Sequence, residues 1–270
     1  MNARAPNGAV EDRDGSPEHA PARVRLDRHA RHLLLKEIGG SGQRRLAGAT
    51  VALVGVGGLG APAALYLAAA GVGRLILIDP DTVELSNLQR QVLFRSDDVG
   101  AGKAAAGGAH LRALDPEVRV ETHARALDAR NAEALLAGAD LVLDGTDNFS
   151  TRFVVNAACH ALGTPLVSGA VGRWDGQVSV FASGAVAGAP CYRCLVPEAP
   201  PEAETCAEEG VVGAMTGVIG TLMALEAIKL LAKAGEPLIG RVLVFDGLSG
   251  TSRTIALPAD PACPVCGGGA

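Results

Sequence analysis

Aromatic residues are scarce, at 3% of the 270 residues, with one Trp, two Tyr and five Phe. Because 48% of the chain is nonetheless apolar, its core has to be built from Ala, Val, Leu and Ile, as in buried parallel sheets, and an α/β fold is favoured. Basic residues are not in excess. The formal net charge is -5, which removes any global electrostatic reason to expect nucleic acid as a partner. Residues 1–24 contain no apolar stretch of signal-peptide length and mix Pro, Gly, Asp, Glu and Arg, so they read as a disordered tail. The longest apolar region, 211–232, is interrupted by Glu226 and Lys229 and weakened by glycines. A buried or subunit-interface helix is expected there, not a membrane span. With no export signal, the six cysteines point to a reducing cytoplasm, where paired cysteines are more often metal ligands than disulfides. The six histidines form no ligand-spaced cluster, and no internal repeat is visible.

Length alone leaves the domain count open, but the order of elements argues for one domain over 25–270. A helical segment is expected over 26–46. Strand, glycine turn and helix then follow at 50–54, 55–58 and 59–70, and a second strand at 74–78 ends on Asp79. Further alternation (helix 103–114, strand 118–122, helix 129–136, strand 141–144, helix 151–162, strand 165–168) is doubly wound α/β grammar. Beyond Gly172 the pattern changes to locally pairing strands at 177–181, 241–246 and 252–257, so the sheet should continue as a mixed or antiparallel one. This divides the domain into a nucleotide-binding half, 48–170, and a C-terminal half, 171–270. The Gly-, Pro- and Glu-rich crossover at 182–210 is too long for an ordinary connection.

Gly55-Val56-Gly57-Gly58-Leu59-Gly60 is the glycine turn that lets backbone approach a phosphate while a helix N-terminus faces the anion. It follows a strand, opens a helix, and is answered about 20 residues on by Asp79, suited to ribose hydroxyls. Glycines serving packing alone are the competing reading. NAD and the adenosine half of ATP both fit so far. Ser86-Asn87-Leu88-Gln89-Arg90 favours ATP, because attack on an α-phosphate builds charge that Arg90 can neutralise. Lys103, opening a helix after Gly100-Ala101-Gly102, could reach the β- and γ-phosphates, or could be a solvated surface lysine. Asp147, in Gly145-Thr146-Asp147-Asn148 past a strand end, is a suitable Mg2+ ligand beside a triphosphate. Helix capping by Asp147 or Asn148 is the plainer reading.

Cys191-Tyr192-Arg193-Cys194 and Cys263-Pro264-Val265-Cys266 supply four thiolates in two knuckles, a set that satisfies structural Zn2+ with no open position. Disulfides are the alternative. Cys159 falls among apolar neighbours on a helix and reads as inert packing. Cys206 lies in an acidic loop that should raise its thiol pKa.

Taken in order, the glycine turn 55–60, the 86–90 segment, Thr146-Asp147-Asn148 and the two Cys-x-x-Cys pairs resemble the MoeB/ThiF/HesA adenylyltransferases, relatives of ubiquitin-activating enzymes. The resemblance spans roughly 26–266. It implies that Gly58, Asp79, Asn87, Arg90, Lys103 and Asp147 bind ATP and magnesium. It also implies a homodimer in which Arg31, otherwise an ordinary exposed helical residue, enters the neighbouring subunit's site. Cys206 matches a position that in some members links covalently to the carrier or takes part in sulfur transfer, and in others is dispensable. The implied activity is adenylation of the C-terminal Gly-Gly carboxylate of a small ubiquitin-like sulfur-carrier protein. Sulfur is expected from a separate donor protein, because the sequence stops just after Cys266. Competing readings are an NAD-dependent oxidoreductase, a homologue adenylating a peptide or small carboxylate, and a zinc-stabilised nucleotide-binding module without catalysis.

Overall fold

In β1 (Thr50–Val54) Val51 and Leu53 pack on one side of the sheet and Ala52 and Val54 on the other, all buried. Such two-sided burial is what an unbroken apolar run in a parallel strand produces. The same alternation holds in β2 (Arg74–Ile78), where Leu75 and Leu77 face one core and Ile76 and Ile78 the other. The computed structural model describes residues 26–200 and 210–267. The expected tail at 1–24 and Cys206 lie outside them.

The remaining strands are β3 (Arg119–His123), β4 (Leu141–Asp144), β5 (Leu166–Val171), β6 (Asp175–Phe181), β7 (Arg241–Asp246) and β8 (Thr251–Ala256). They form one eight-stranded sheet in the order β3-β2-β1-β4-β5-β6-β7-β8. Pairing is parallel from β3 to β5 and antiparallel from β5 to β8, so the expected change of grammar after Gly172 is present. The topological switch lies between β1 and β4, where a crevice opens at the carboxyl ends of the strands.

Helices cover both faces. The larger core packs beneath α2 (Gly39–Gly48), α3 (Gly60–Ala69), α4 (Lys103–Leu114) and α8 (Gly213–Ala232). The smaller one lies under α5 (Ala132–Leu136), α6 (Phe149–Leu162) and α7 (Tyr192–Leu195). α8 is long and apolar enough to cross a membrane, but Ile219, Met223, Ala224 and Ala227 on it are buried in the larger core. A Cβ on Gly220 would meet Pro62 Cγ at 2.6 Å, so glycine there lets α8 press onto the start of α3.

The expected helix over 26–46 is broken. Helix α1 (Ala30–Leu33) ends before a turn, and α2 begins at Gly39 with φ of +52°. Apolar spacing across Leu33, Leu34 and Leu35 suggested continuity, but Leu34 is 77% exposed, so no apolar face exists to hold that stretch helical. α1 is instead seated by side chains. His29 is buried and its ring stacks on His32 at 6.2 Å, and His32 Nδ1 lies 3.0 Å from Gln43 Oε1.

Candidate active site

Strand register brings three loop starts to one level. Val54 pairs with Ile78 on one side and with Asp144 on the other, so Gly55, Asp79 and Gly145 emerge together at the switch point. Gly55 N–H donates to the Ile78 carbonyl at 2.9 Å, and Gly145 N–H to the Val54 carbonyl at 2.9 Å. The glycine turn bends back tightly: Gly55 has φ of +83°, and a Cβ on Gly60 would overlap the Gly55 carbonyl. Only glycine fits at position 60 without moving the turn.

Asp79 is 4% exposed and braces this turn from β2. Its Oδ2 accepts the Val56 N–H at 2.7 Å and its Oδ1 the Asp81 N–H at 2.9 Å. Burial pushes the Asp79 carboxyl above its ordinary range, opposed by those two hydrogen bonds and the charge of Lys103. Lys103, at the start of α4, is itself buried, and its Nζ lies 2.9 Å from Asp81 Oδ2. It is therefore not a solvated surface lysine.

The 84–91 segment forms a short 3-10 turn, Leu85–Asn87, whose shape depends on Asn87. Asn87 is buried, and its Oδ1 accepts the Glu84 N–H at 3.2 Å. Arg90 then crosses the glycine turn: a Cβ on Gly58 would sit 3.7 Å from Arg90 Cδ. The guanidinium Nη1 donates to the Ser86 carbonyl at 3.2 Å, and the Arg90 carbonyl accepts from Thr216 Oγ1 at 3.2 Å on α8. Gln89 is exposed and lies against Gly213 at the head of α8.

Across the crevice, buried Asp144 shapes the β4 loop by accepting from the Thr146 N–H at 3.0 Å and its hydroxyl at 2.7 Å. Arg152 on α6 donates to the Thr146 carbonyl. Asp147 follows, exposed to solvent. Asn148 is the helix cap, its Oδ1 accepting from the Thr151 N–H at 2.9 Å. A Cβ on Gly55 would sit 3.1 Å from the Gly145 carbonyl carbon, so this loop and the glycine turn are in contact. Arg90, Lys103 and Asp147 thus sit on three segments bordering one glycine turn. Arg31 lies on α1, exposed.

Three neighbours were not singled out from sequence. Asp81 pairs with Lys103. Gln91 is 4% exposed, with its Oε1 unpaired among the described residues and its Nε2 3.5 Å from where a Gly57 Cβ would be. Arg152 holds the Thr146 carbonyl. Asp81 was the one with a legible signal, two residues past Asp79 at the same strand end. A small recess with room for about one water lies nearby, lined in part by Arg152, Ser168, Gln177, Ser179 and Tyr192.

Farther along the crossover, the four sulfurs of Cys191, Cys194, Cys263 and Cys266 lie within 4.8 Å of one another. Two of the pairs, Cys191–Cys263 and Cys194–Cys266, are 3.5 and 3.4 Å apart, too far for S–S bonds at about 2.05 Å. They are close to the roughly 3.8 Å edge of a tetrahedron with Zn–S bonds of about 2.3 Å. The cluster can hold a metal ion. Cys263 is held down to about 7: burial opposes this, but the N–H groups of Cys266 and Val265 stabilise its thiolate. Burial drives the Cys159 thiol upward, in keeping with inert packing.

The ThiF family model matches residues 29–265. This chain belongs to the ThiF family. It is 47% identical over 248 residues to the SAMP-activating enzyme E1 of Haloferax volcanii, covering 91% of this chain and 90% of that one. It is 48% identical over 246 residues to the sulfur carrier protein adenylyltransferase of Thermus thermophilus, covering 90% and 91%. Among solved structures, E. coli MccB with AMPCPP and selenomethionyl MccA superposes with a TM-score of 0.78 at 25% identity, over 91% of this chain and 75% of that one. ThiF membership sets aside the NAD-dependent oxidoreductase reading, since an adenylyltransferase family implies ATP.

Proposed function

We propose that this chain is an adenylyltransferase that uses ATP and Mg2+ to activate the C-terminal Gly-Gly carboxylate of a small ubiquitin-like sulfur-carrier protein. The observation that carries the reading is the grouping of Arg90, Lys103 and Asp147 around one glycine turn, in a chain nearly half identical to a sulfur carrier protein adenylyltransferase.

A carboxylate is already a nucleophile at neutral pH, so no side-chain base is required. The protein's task is to position the carboxylate and to neutralise charge as it attacks the α-phosphorus and pyrophosphate departs. Gly55, Gly57, Gly58 and Gly60 admit the phosphates, and Asp79 accepts from ribose hydroxyls. Asn87 and Gln89 shape the adjoining wall. Arg90 sits at the α-phosphate, Lys103 at the β- and γ-phosphates, and Asp147 holds Mg2+, with Asn148 fixing the loop through its cap.

The acyl-adenylate is then open to a sulfur donor protein acting in trans. Cys206 is the candidate for a covalent link to the carrier at that stage. Zn2+ in the four-cysteine cluster ties 263–266 to the crossover and plays no part in the chemistry. The working unit is a homodimer, with Arg31 of each subunit reaching the other's site. Its support is the apolar surface left by Leu34, Leu35, Tyr66 and Leu225, each at least 48% exposed. The cytoplasm is the expected compartment.

Capture from native extract with ATP tests the partner. A small protein ending in Gly-Gly is the expected catch. Specific retention of a short peptide alone would replace the carrier reading with peptide adenylation.

A further inference from the structure

Asn156 is a buried polar side chain that nothing above explains. It lies on α6, is 2% exposed, and its Oδ1 accepts the Tyr192 N–H at 2.8 Å. Its Nδ2, also buried, has no hydrogen-bond partner among the described residues. An orphaned buried N–H is costly, so the position calls for an acceptor.

The fold places a sulfur there. Tyr192 follows Cys191, whose fully buried side chain lies beside the Asn156 amide. A neutral thiol is a weak acceptor, whereas a metal-bound thiolate is a strong one. Another of the four cysteines already has its own donor: Cys194 Sγ accepts from the Asp260 N–H at 3.4 Å. α6 grips the knuckle a second time on the same side, where Phe153 packs on Tyr192 with ring centres 5.9 Å apart and Arg193 lies over the Phe153 ring at 3.8 Å.

We propose that Asn156 is a positioning residue for the metal cluster, its Nδ2–H donating to the Cys191 thiolate once the four sulfurs hold an ion. Such outer hydrogen bonds fix ligand orientation, and their loss costs about 10–100-fold in metal affinity. The bond also ties the cluster to the helix that begins at Asn148, beside Asp147. The inference rests on the cysteine cluster being a metal site.

Asn156→Asp keeps an oxygen for the Tyr192 N–H but adds a buried negative charge beside the thiolates. The uncharged Asn156→Leu is therefore measured with it, and a loss shared by both variants belongs to the missing N–H donor. In the full-length chain, zinc affinity by chelator competition is expected to fall 10–100-fold. The thiolate-to-metal charge-transfer band of the cobalt form is expected to shift in both variants. A folded variant with unchanged zinc affinity and an unmoved cobalt band overturns the proposal. Should neither variant fold, wild-type protein loaded with NMR-active cadmium gives the answer: scalar coupling between the metal and an Asn156 side-chain proton supports the hydrogen bond, and its absence contradicts it. A wild-type chain that takes up no cobalt overturns the metal reading first, and this inference with it.

Discussion

Lys103 Nζ lies 2.9 Å from Asp81 Oδ2, with the lysine side chain only 8% exposed and the aspartate 63%. A buried ammonium needs a partner, and Asp81 aims this one at the mouth of the glycine turn without enclosing it. Lys103→Ala is therefore expected to lower carrier-dependent kcat/KM by on the order of 100-fold, the cost of one lost charge-stabilising donor. Asp81→Asn leaves the ammonium in place without its anionic partner, and should cost about ten-fold. Equal losses in steady-state kinetics would show that Asp81 does more than orient Lys103.

Gly60→Ala places a methyl group against the Gly55 carbonyl. Overpacking of this kind costs about 1–3 kcal/mol, and the turn can relax only by moving away from the nucleotide. The expected result is a lower melting temperature together with a loss of MgATP binding by calorimetry. Gly138→Ala, a glycine with open space around it but φ of +77°, should affect stability alone.

Nucleotide binding should carry the signature of Asp79. Burial raises its carboxyl pKa above the ordinary value of 3.8, so the native state holds a proton at pH values where the unfolded chain has lost it. The sign follows: Asp79 favours folding at low pH, and that contribution fades as pH rises from 3.8 through the raised value. Ribose binding needs the ionised acceptor and runs the other way. MgATP affinity should weaken on acidification at a higher pH than an ordinary carboxylate would cause. Asp79→Asn should bind weakly with no such inflection, and an inflection that persists in it assigns the titration elsewhere.

Cys263→Ser is expected to release zinc and expose the knuckles. Hydrogen exchange should then rise around 191–195 and 258–267 and leave β1 and β4 protected, because those strands lie in the core far along the sheet from β8. Global unfolding on zinc removal would contradict a clamp confined to the crossover and C-terminus.

Arg31 acts in trans if the dimer is correct. Arg31→Ala and Asp147→Ala proteins should each be inactive, yet mixing them after subunit exchange should recover roughly a quarter of wild-type activity, through hybrid dimers with one intact site. No recovery in demonstrated hybrids would place Arg31 outside the neighbouring site.

Much of the parallel half was legible because each buried strand is a short apolar run bounded by Gly, Asp or Pro. The bounds 50–54, 74–78, 103–114, 141–144 and 241–246 coincide with the observed elements. The break between α1 and α2 was not, since three consecutive leucines resemble a helix face until burial shows Leu34 facing out. At the site, glycines and strand-end carboxylates announce themselves by position. Gln91 and Asn156 do not, because their unpaired atoms exist only after α8 and α7 have folded over them. Lys103 could also be read as a surface lysine until the start of α4 buried it beside Asp81.

Carrier-dependent ATP–pyrophosphate exchange tests the central claim most directly. Wild-type protein with a Gly-Gly-ending carrier should exchange label, Cys206→Ser should match it, and Arg90→Ala and Asp147→Ala should fall by at least about 100-fold. Full exchange in the Arg90 and Asp147 variants, or exchange unaffected by deleting the carrier's final glycine, would contradict it.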